Sequence, residues 1–225
     1  KQDINKSIHY LSLAANQNYP KAQFNLGIIY YEGEYIKQDI NKSIHYLSLA
    51  ANQNHPDAQF NLGIIYYEDE YIKQDINKSI HYLSLAANQN HPDAQFNLGN
   101  IYLEDKYIEQ DINKSIHYLS LAANQYYPEA QFKLGIFYLE GKYIERDISK
   151  SIHYLSLAAN QNHLNAQFIL GFIYYEGEYI KQDINKSIHY LSLAANQNYP
   201  KAQFNLGIIY YEGEYIKQDI NKSIH

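Results

Sequence analysis

Histidine recurs at His45, His81, His117, His153 and His189, always 36 residues apart, and such a ladder of imidazoles invites a metal-site reading. Distance argues against it. Equivalent helices in successive units of a repeat stand at least about 8 to 10 Å apart, whereas Zn–N bonds of about 2.0 to 2.1 Å need ligand atoms far closer together. The other histidine of the same unit, His55, is ten residues beyond His45, or about 15 Å along a helix. Asp39, Ser43 and His45 supply the residue types of a hydrolase triad, but Ser43 and His45 are two positions apart on a helix and point nearly opposite ways. The run from Asp39 to Ser43 begins like a calcium loop, yet Ile44 stands at the required glycine and Ala50 at the required bidentate glutamate. No catalytic, metal or cofactor site is therefore assigned, and the chain is read as a non-enzyme. Asn41-Lys42-Ser43 is also an N-glycosylation sequon, repeated at Asn5, Asn77, Asn113, Asn185 and Asn221. It falls in the first turn of a helix and is read as a solvated polar helix start.

These residues sit on two kinds of helix. From Asp39 to about Gln53 the apolar positions Ile40, Ile44, Leu47 and Ala51 are spaced by four, three and four, which places them on one helical face. This segment, helix B, has Asp39 where an N-cap belongs and Asn54 where a left-handed C-terminal cap belongs. Helix A follows from Pro56, suited to a first turn, to about Glu68, with Ala58, Leu62, Ile65 and Tyr66 as its core stripe. Gly63 costs about 1 kcal/mol relative to alanine inside a helix, and its return in all six copies implies a neighbouring helix at close range. The break at Asn54-His55 is short and makes B and the following A antiparallel. A longer loop, from residue 69 to Gln74, leads to the next B.

Asp3, Asp39, Asp75, Asp111, Asp147, Asp183 and Asp219 are spaced by 36 residues without insertion, and residues 1–36 and 181–216 are identical. The chain of 225 residues is read as one continuous array, part of a longer protein, with units 1–36, 37–72, 73–108, 109–144, 145–180 and 181–216 and a partial unit 217–225. One helix pair cannot bury its own apolar face, so the pairs stack. The fold class expected is all-α: a right-handed α/α superhelix, or solenoid, of about six 36-residue helix-turn-helix repeats. Tyrosines such as Tyr46, Tyr66 and Tyr71 are assigned to packing rather than to base stacking.

Composition narrows the partners. With no cysteine there is no disulfide framework, thiolate metal site or cysteine nucleophile. A net charge of −6 with Arg146 the sole arginine argues against nucleic acid, which needs clustered cations. No apolar run approaches the roughly 18 to 20 residues of a membrane span, so membrane insertion of this segment is not expected. The sequence fixes neither compartment, the cytoplasm being marginally favoured, nor oligomeric state.

The unit resembles the Sel-1-like repeat, a relative of the tetratricopeptide repeat. Ala22, Leu26, Gly27, Tyr30, Gly33, Ile36, Asp39, Lys42, Tyr46, Ala50 and Ala51 occupy that family's motif positions in order, with Ile for Val and Tyr for Trp. Departures are Tyr35 at the second loop glycine, Ser43 at an alanine, Asn54 at a glycine, and Asp69 and Asp105 at the first loop glycine of two copies. The resemblance implies an adaptor or scaffold for protein complexes, of the kind found in quality control and in bacterial contact with host cells. Its cysteine-rich members linked with β-lactams are stapled by disulfides that this chain cannot make.

Copies differ from one another chiefly on helix A. The first such position holds Lys21, Asp57, Asp93, Glu129, Asn165 and Lys201; the second Asn61, Asn97, Lys133 and Ile169. The third holds Ile64, Asn100, Ile136 and Phe172; the fourth Tyr67, Leu103, Leu139 and Tyr175. Steps of four, three and three put these residues on one face, which by resemblance to tetratricopeptide arrays lines a concave groove. The expected partner is a protein or peptide, with aromatic and aliphatic residues as anchors and Asp57, Asp93 and Glu129 favouring a basic segment. The alternatives are an RNA-binding helical repeat of pentatricopeptide type, which calls for a basic groove, and a non-catalytic regulatory array attached to an enzyme domain elsewhere.

Overall fold

Each B helix starts because an aspartate closes its first turn. The Asp39 carboxylate accepts the Lys42 backbone N–H at 3.0 Å, and Asp75, Asp111, Asp147 and Asp183 do the same for Lys78, Lys114, Lys150 and Lys186 at that distance. Each ends where the chain turns left-handed: Asn18, Asn54, Asn90, Asn162 and Asn198 have φ of 60 to 62°. This cap is what the sequence predicts for Asn54. Asparagine visits this region more readily than other side-chain-bearing residues, because its short amide bonds locally. Pro56 then opens the next helix at its first position.

The computed structural model describes residues 3–68, 72–104 and 106–213. The expectations placed on Asp69, Tyr71, Asp105, Asp219 and Asn221 lie outside these residues. Among the described residues the elements are α1 (Ile4–Asn16), α2 (Pro20–Glu32), α3 (Ile40–Ala51), α4 (Pro56–Tyr67), α5 (Ile76–Ala87), α6 (Pro92–Glu104), α7 (Ile112–Asn124), α8 (Pro128–Glu140), α9 (Ile148–Asn160), α10 (Leu164–Glu176), α11 (Ile184–Asn196) and α12 (Pro200–Glu212). Odd-numbered helices are the B type and even-numbered the A type. The protein is an all-α solenoid of paired helices, in two compact units, Lys1–Leu121 and Ala122–His225, with the boundary inside α7.

In the first unit, Leu47, Ala50 and Ala51 of α3 pack with Ala58, Leu62 and Ile65 of α4, and the same six positions recur one repeat on around Leu83 and Leu98. In the second unit Leu155, Ala158 and Ala159 meet Ala166, Leu170 and Ile173. These are the B and A stripes expected from the 3-and-4 spacing.

Glycine sets how closely an A helix meets the B helix after it. A Cβ placed on Gly63 would stand 2.6 Å from Leu83 Cγ and 3.2 Å from the Leu83 backbone nitrogen, and Gly135 stands in the same relation to Leu155. The loop between them is tied back by its own backbone and by a glutamine. Asp75 N–H donates to Tyr66 O at 2.9 Å and Gln74 Nε2 donates to Tyr67 O at 2.7 Å.

Two changes test this account. Gly63→Ala gains about 1 kcal/mol of helix propensity but forces α4 and α5 apart, an overpacking cost of about 1 to 3 kcal/mol, so the net effect is a loss of up to about 2 kcal/mol in thermal unfolding. A higher Tm would show that the close approach is not required. Tyr126, at φ 63° and 70% exposed, holds the left-handed position that the other copies give to asparagine. Tyr126→Asn removes about 1 kcal/mol of backbone strain and raises Tm by about 2 °C; an unchanged or lower Tm counts against strain there.

Candidate functional site

The face that varies among copies is only partly open. In the first unit Asp57 is exposed, but its Oδ1 lies 3.3 Å from His91 Nε2 and its Oδ2 3.9 Å from His55 Nδ1. Asp93 Oδ2 is 3.8 Å from His91 Nδ1. Asn61 and Asn97 donate from Nδ2 to the carbonyls of Asp57 and Asp93, at 2.7 and 2.8 Å. Ile64 and Tyr67 are half-buried against the core of the following repeat, and Asn100 is half-buried. Leu103, expected among the surface anchors, is 2% exposed. It packs inward because helix A is covered on more than one side, and spacing along one helix does not distinguish solvent from a neighbouring repeat.

In the second unit Glu129 and Asn165 are exposed and Lys133 is half-buried. Ile136 and Leu139 of α8, with Ile169 of α10, are packed at the edge of the core around Leu155 and Leu170. Phe172 remains 46% exposed. Tyr175 packs against the core around Leu191, and its hydroxyl donates to Glu212 Oε2 at 3.2 Å.

Two features beside this face were missed in the sequence. The first is a buried amide relay. Gln59, 1% exposed, donates from Nε2 to Ala51 O at 3.1 Å and accepts from Gln89 Nε2 at 2.7 Å. Gln53 likewise donates to Gln23 in the first unit, and Gln161 to Gln131 and Gln197 to Gln167 in the second, at 2.7 to 2.8 Å. A glutamine side chain can be buried here because its carbonyl and an amide hydrogen are both paired. The recurrence of glutamine at two fixed positions 30 residues apart was the available signal.

The second is an aromatic cap. His55, His91 and His163 stand at the N-caps of α4, α6 and α10, where each Nδ1 accepts a backbone N–H, from Ala58, Ala94 and Ala166, at 3.2 to 3.4 Å. Each ring stacks on a phenylalanine of the preceding A helix, Phe24, Phe60 or Phe132, with centroids 4.4 to 4.8 Å apart. These are the second histidines of their units, and their work is structural.

The helix-B histidines His45, His81, His117, His153 and His189 are all exposed, and no group of three metal-binding side chains gathers among the described residues. Ser43 is fully buried, on the side of α3 away from exposed His45, so the hydrolase types do not converge. The buried Ser43 hydroxyl also hides one end of the sequon in the folded chain. Lys42 sits 5.0 Å over the Tyr30 ring, and Tyr30 stacks on Tyr46, as Tyr66 does on Tyr82, at 5.9 Å, so Tyr46 and Tyr66 pack between helices as expected, whereas Tyr10, Tyr35 and Tyr126 are exposed.

Helix pairs of one recurring sequence, stacked through the same buried positions within each unit, define a repeat protein of the α-solenoid class. The Sel1 repeat family description matches residues 1–19, 20–55, 56–91, 92–127, 128–163, 164–199 and 200–225, and the chain belongs to that family. Among solved structures it is similar to a protective antigen of uropathogenic Escherichia coli displaying the same repeat fold, at 30% identity and TM-score 0.90 over 96% of the chain. It is also similar to a Sel1 repeat protein from Oxalobacter formigenes, at 31% identity and TM-score 0.81 over 97% of the chain. A Sel1 repeat protein from Klebsiella pneumoniae, at 18% identity and TM-score 0.52 over 89% of the chain and 97% of its own, shares the fold. The chain spans 46% and 65% of the first two proteins' own lengths. No protein of curated function matches it.

Burial lowers the His163 pKa from its ordinary 6.5, and Glu129 opposes that shift. The folded ring thus resists a proton that the unfolded chain takes up. The cap's contribution is full above about 6.5 and is lost progressively as pH falls below it. Relative to His163→Tyr, which copies the residue type of Tyr127 and Tyr199, the wild-type Tm drops as pH goes from about 7.5 to about 5. A difference independent of pH would count against a neutral cap.

Proposed function

We propose that this chain holds a peptide or protein segment on the outer row of its A helices, in each unit, around Asp57, Asn61, Asp93 and Asn97 in the first and Glu129, Lys133, Asn165 and Phe172 in the second. One observation carries the reading. The B helices are also exposed, yet their outward residues are nearly constant: histidine stands at His9, His45, His81, His117, His153 and His189 without exception. Drift on a solvated surface would alter both rows, whereas the copies differ on the A row. Specific binding needs side chains that differ from place to place, and of the two helix rows the A row supplies them.

The partner segment is basic. Asp57, Asp93 and Glu129 place carboxylates at one recurrent position, and complementary charge raises association rate and selects register. Asp57 and Asp93 also face the cap histidines, so they serve packing and charge together.

The test is selection of ligands from a random peptide library, followed by mapping of amide chemical-shift changes on the 225-residue chain. Changes should gather on A helices, and Asp93→Lys with Glu129→Lys should weaken the selected basic peptides roughly tenfold, about 1.4 kcal/mol. Changes confined to the exposed row of His45, His81 and His153 would remove the proposal, and affinity unmoved by both charge reversals would remove its basic partner.

A further inference from the structure

Three residues set one pair of neighbouring repeats apart from the rest. Ile169 occupies the position of Asn61, Asn97 and Lys133; Phe172 occupies that of Ile64, Asn100 and Ile136; Arg146 replaces the loop glutamines Gln38, Gln74, Gln110 and Gln182. Though 23 to 26 residues separate Arg146 from the other two, all three line a single cleft in the second unit, between α8 and α10.

The cleft has a volume of about 480 Å³. Ile136, Leu139, Ile169, Phe172 and Ile173 make its apolar wall, and Glu140, Glu176 and Glu178 stand at its edge with Arg146 and Tyr179. Its one cation is already engaged: the Arg146 guanidinium lies 5.4 Å over the Tyr179 ring, and Nη2 donates to Glu140 O at 3.4 Å. Three carboxylates against one guanidinium leave the mouth negative. Changing an asparagine position to isoleucine, and an isoleucine or asparagine position to phenylalanine, adds apolar surface where water has access. That is the opposite of what solubility favours and marks a place where something docks.

We infer that this cleft is the anchor pocket for a linear segment of a partner protein that carries one large apolar side chain flanked by lysine or arginine. The inference rests on the A-helix reading above. A pocket of this size accepts an aromatic or leucine side chain with its neighbours in an extended strand, the apolar wall supplies the burial, and the carboxylates at the mouth receive the flanking cations.

The experiment is fluorescence anisotropy of the intact chain with a labelled peptide whose core is Lys-Phe-Ala-Lys, beside one with Ala in place of Phe and one with both lysines replaced by glutamate. The first peptide binds, and each of the other two binds at least about tenfold more weakly. The double variant I169N/F172N reproduces the side chains that α6 already carries at Asn97 and Asn100, so it keeps its helix, checked by circular dichroism, and loses at least about tenfold for the first peptide. No binding of that peptide, indifference to its phenylalanine, preference for glutamate flanks, or affinity undiminished in the double variant each overturns the pocket. Library peptides that map to A helices while the double variant binds them normally overturn the pocket alone. Library peptides that map to B helices take the A-helix reading with it.

Discussion

Everything in this repeat is arranged around the place where an A helix has no side chain. At Gly27, Gly63 and Gly99 in the first unit, and at Gly135 and Gly171 in the second, a leucine of the next B helix comes within 2.6 to 2.7 Å of where a Cβ would be. Helices of 12 or 13 residues are marginal on their own in water, so packing has to supply their stability. Close contact makes that possible, because the leucine that fills the glycine notch is itself fully buried: Leu47, Leu83, Leu119, Leu155 and Leu191 are all 0% exposed.

Bringing two backbones together in this way leaves helix A enclosed, with consequences on its remaining sides. Its inner edge must carry a polar residue to satisfy the last carbonyls of the preceding B helix, and Gln59 does so while passing its own carbonyl to Gln89. Its opening turn must be capped against the helix before it, which the His91 ring does by stacking on Phe60. Not every consequence is favourable. Ser43, Ser79, Ser151 and Ser187 are buried with hydroxyls that find no partner among the described residues, whereas Ser115 donates to Gly99 O at 2.7 Å. An unpaired buried hydroxyl costs roughly 1 to 3 kcal/mol, and an alanine at these positions would avoid it.

This also explains which parts were legible in the sequence. Asp39, Asn54, Pro56 and Gly63 act through local rules of chain geometry, so their types and spacing named their roles before any coordinates did. Gln59, His91 and Leu103 act between repeats. Their partners, Gln89, Phe60 and the enclosing helices, are fixed by how one unit is laid on the next, and a 3.6-residue period carries no trace of that rotation. Helix A is covered on more than one side, so its stripe could be found but its free edge could not. The varying row lies along helix A, where Leu103 and Tyr67 belong to the stack while Asp93, Asn165 and Phe172 reach the surface.

A repeat that must fit both the unit before it and the unit after it has few positions at which it can change. The notch glycine, its leucine, the relay glutamines and the capping aspartate each touch a neighbour, and a change in one requires a matching change in the other. What is left is the exposed row of helix B, which stays nearly constant, and the edge of helix A with the loop after it, where the copies differ. Change confined to the edge can still combine across adjacent units, because that edge is repeated at every step of the stack. Ile136 and Leu139 from one repeat, Ile169 and Phe172 from the next, and Arg146 from the loop between them form the wall and rim of one cleft without moving a helix. In the second unit the variation thus gathers at one cleft, while the residues that stack stay constant.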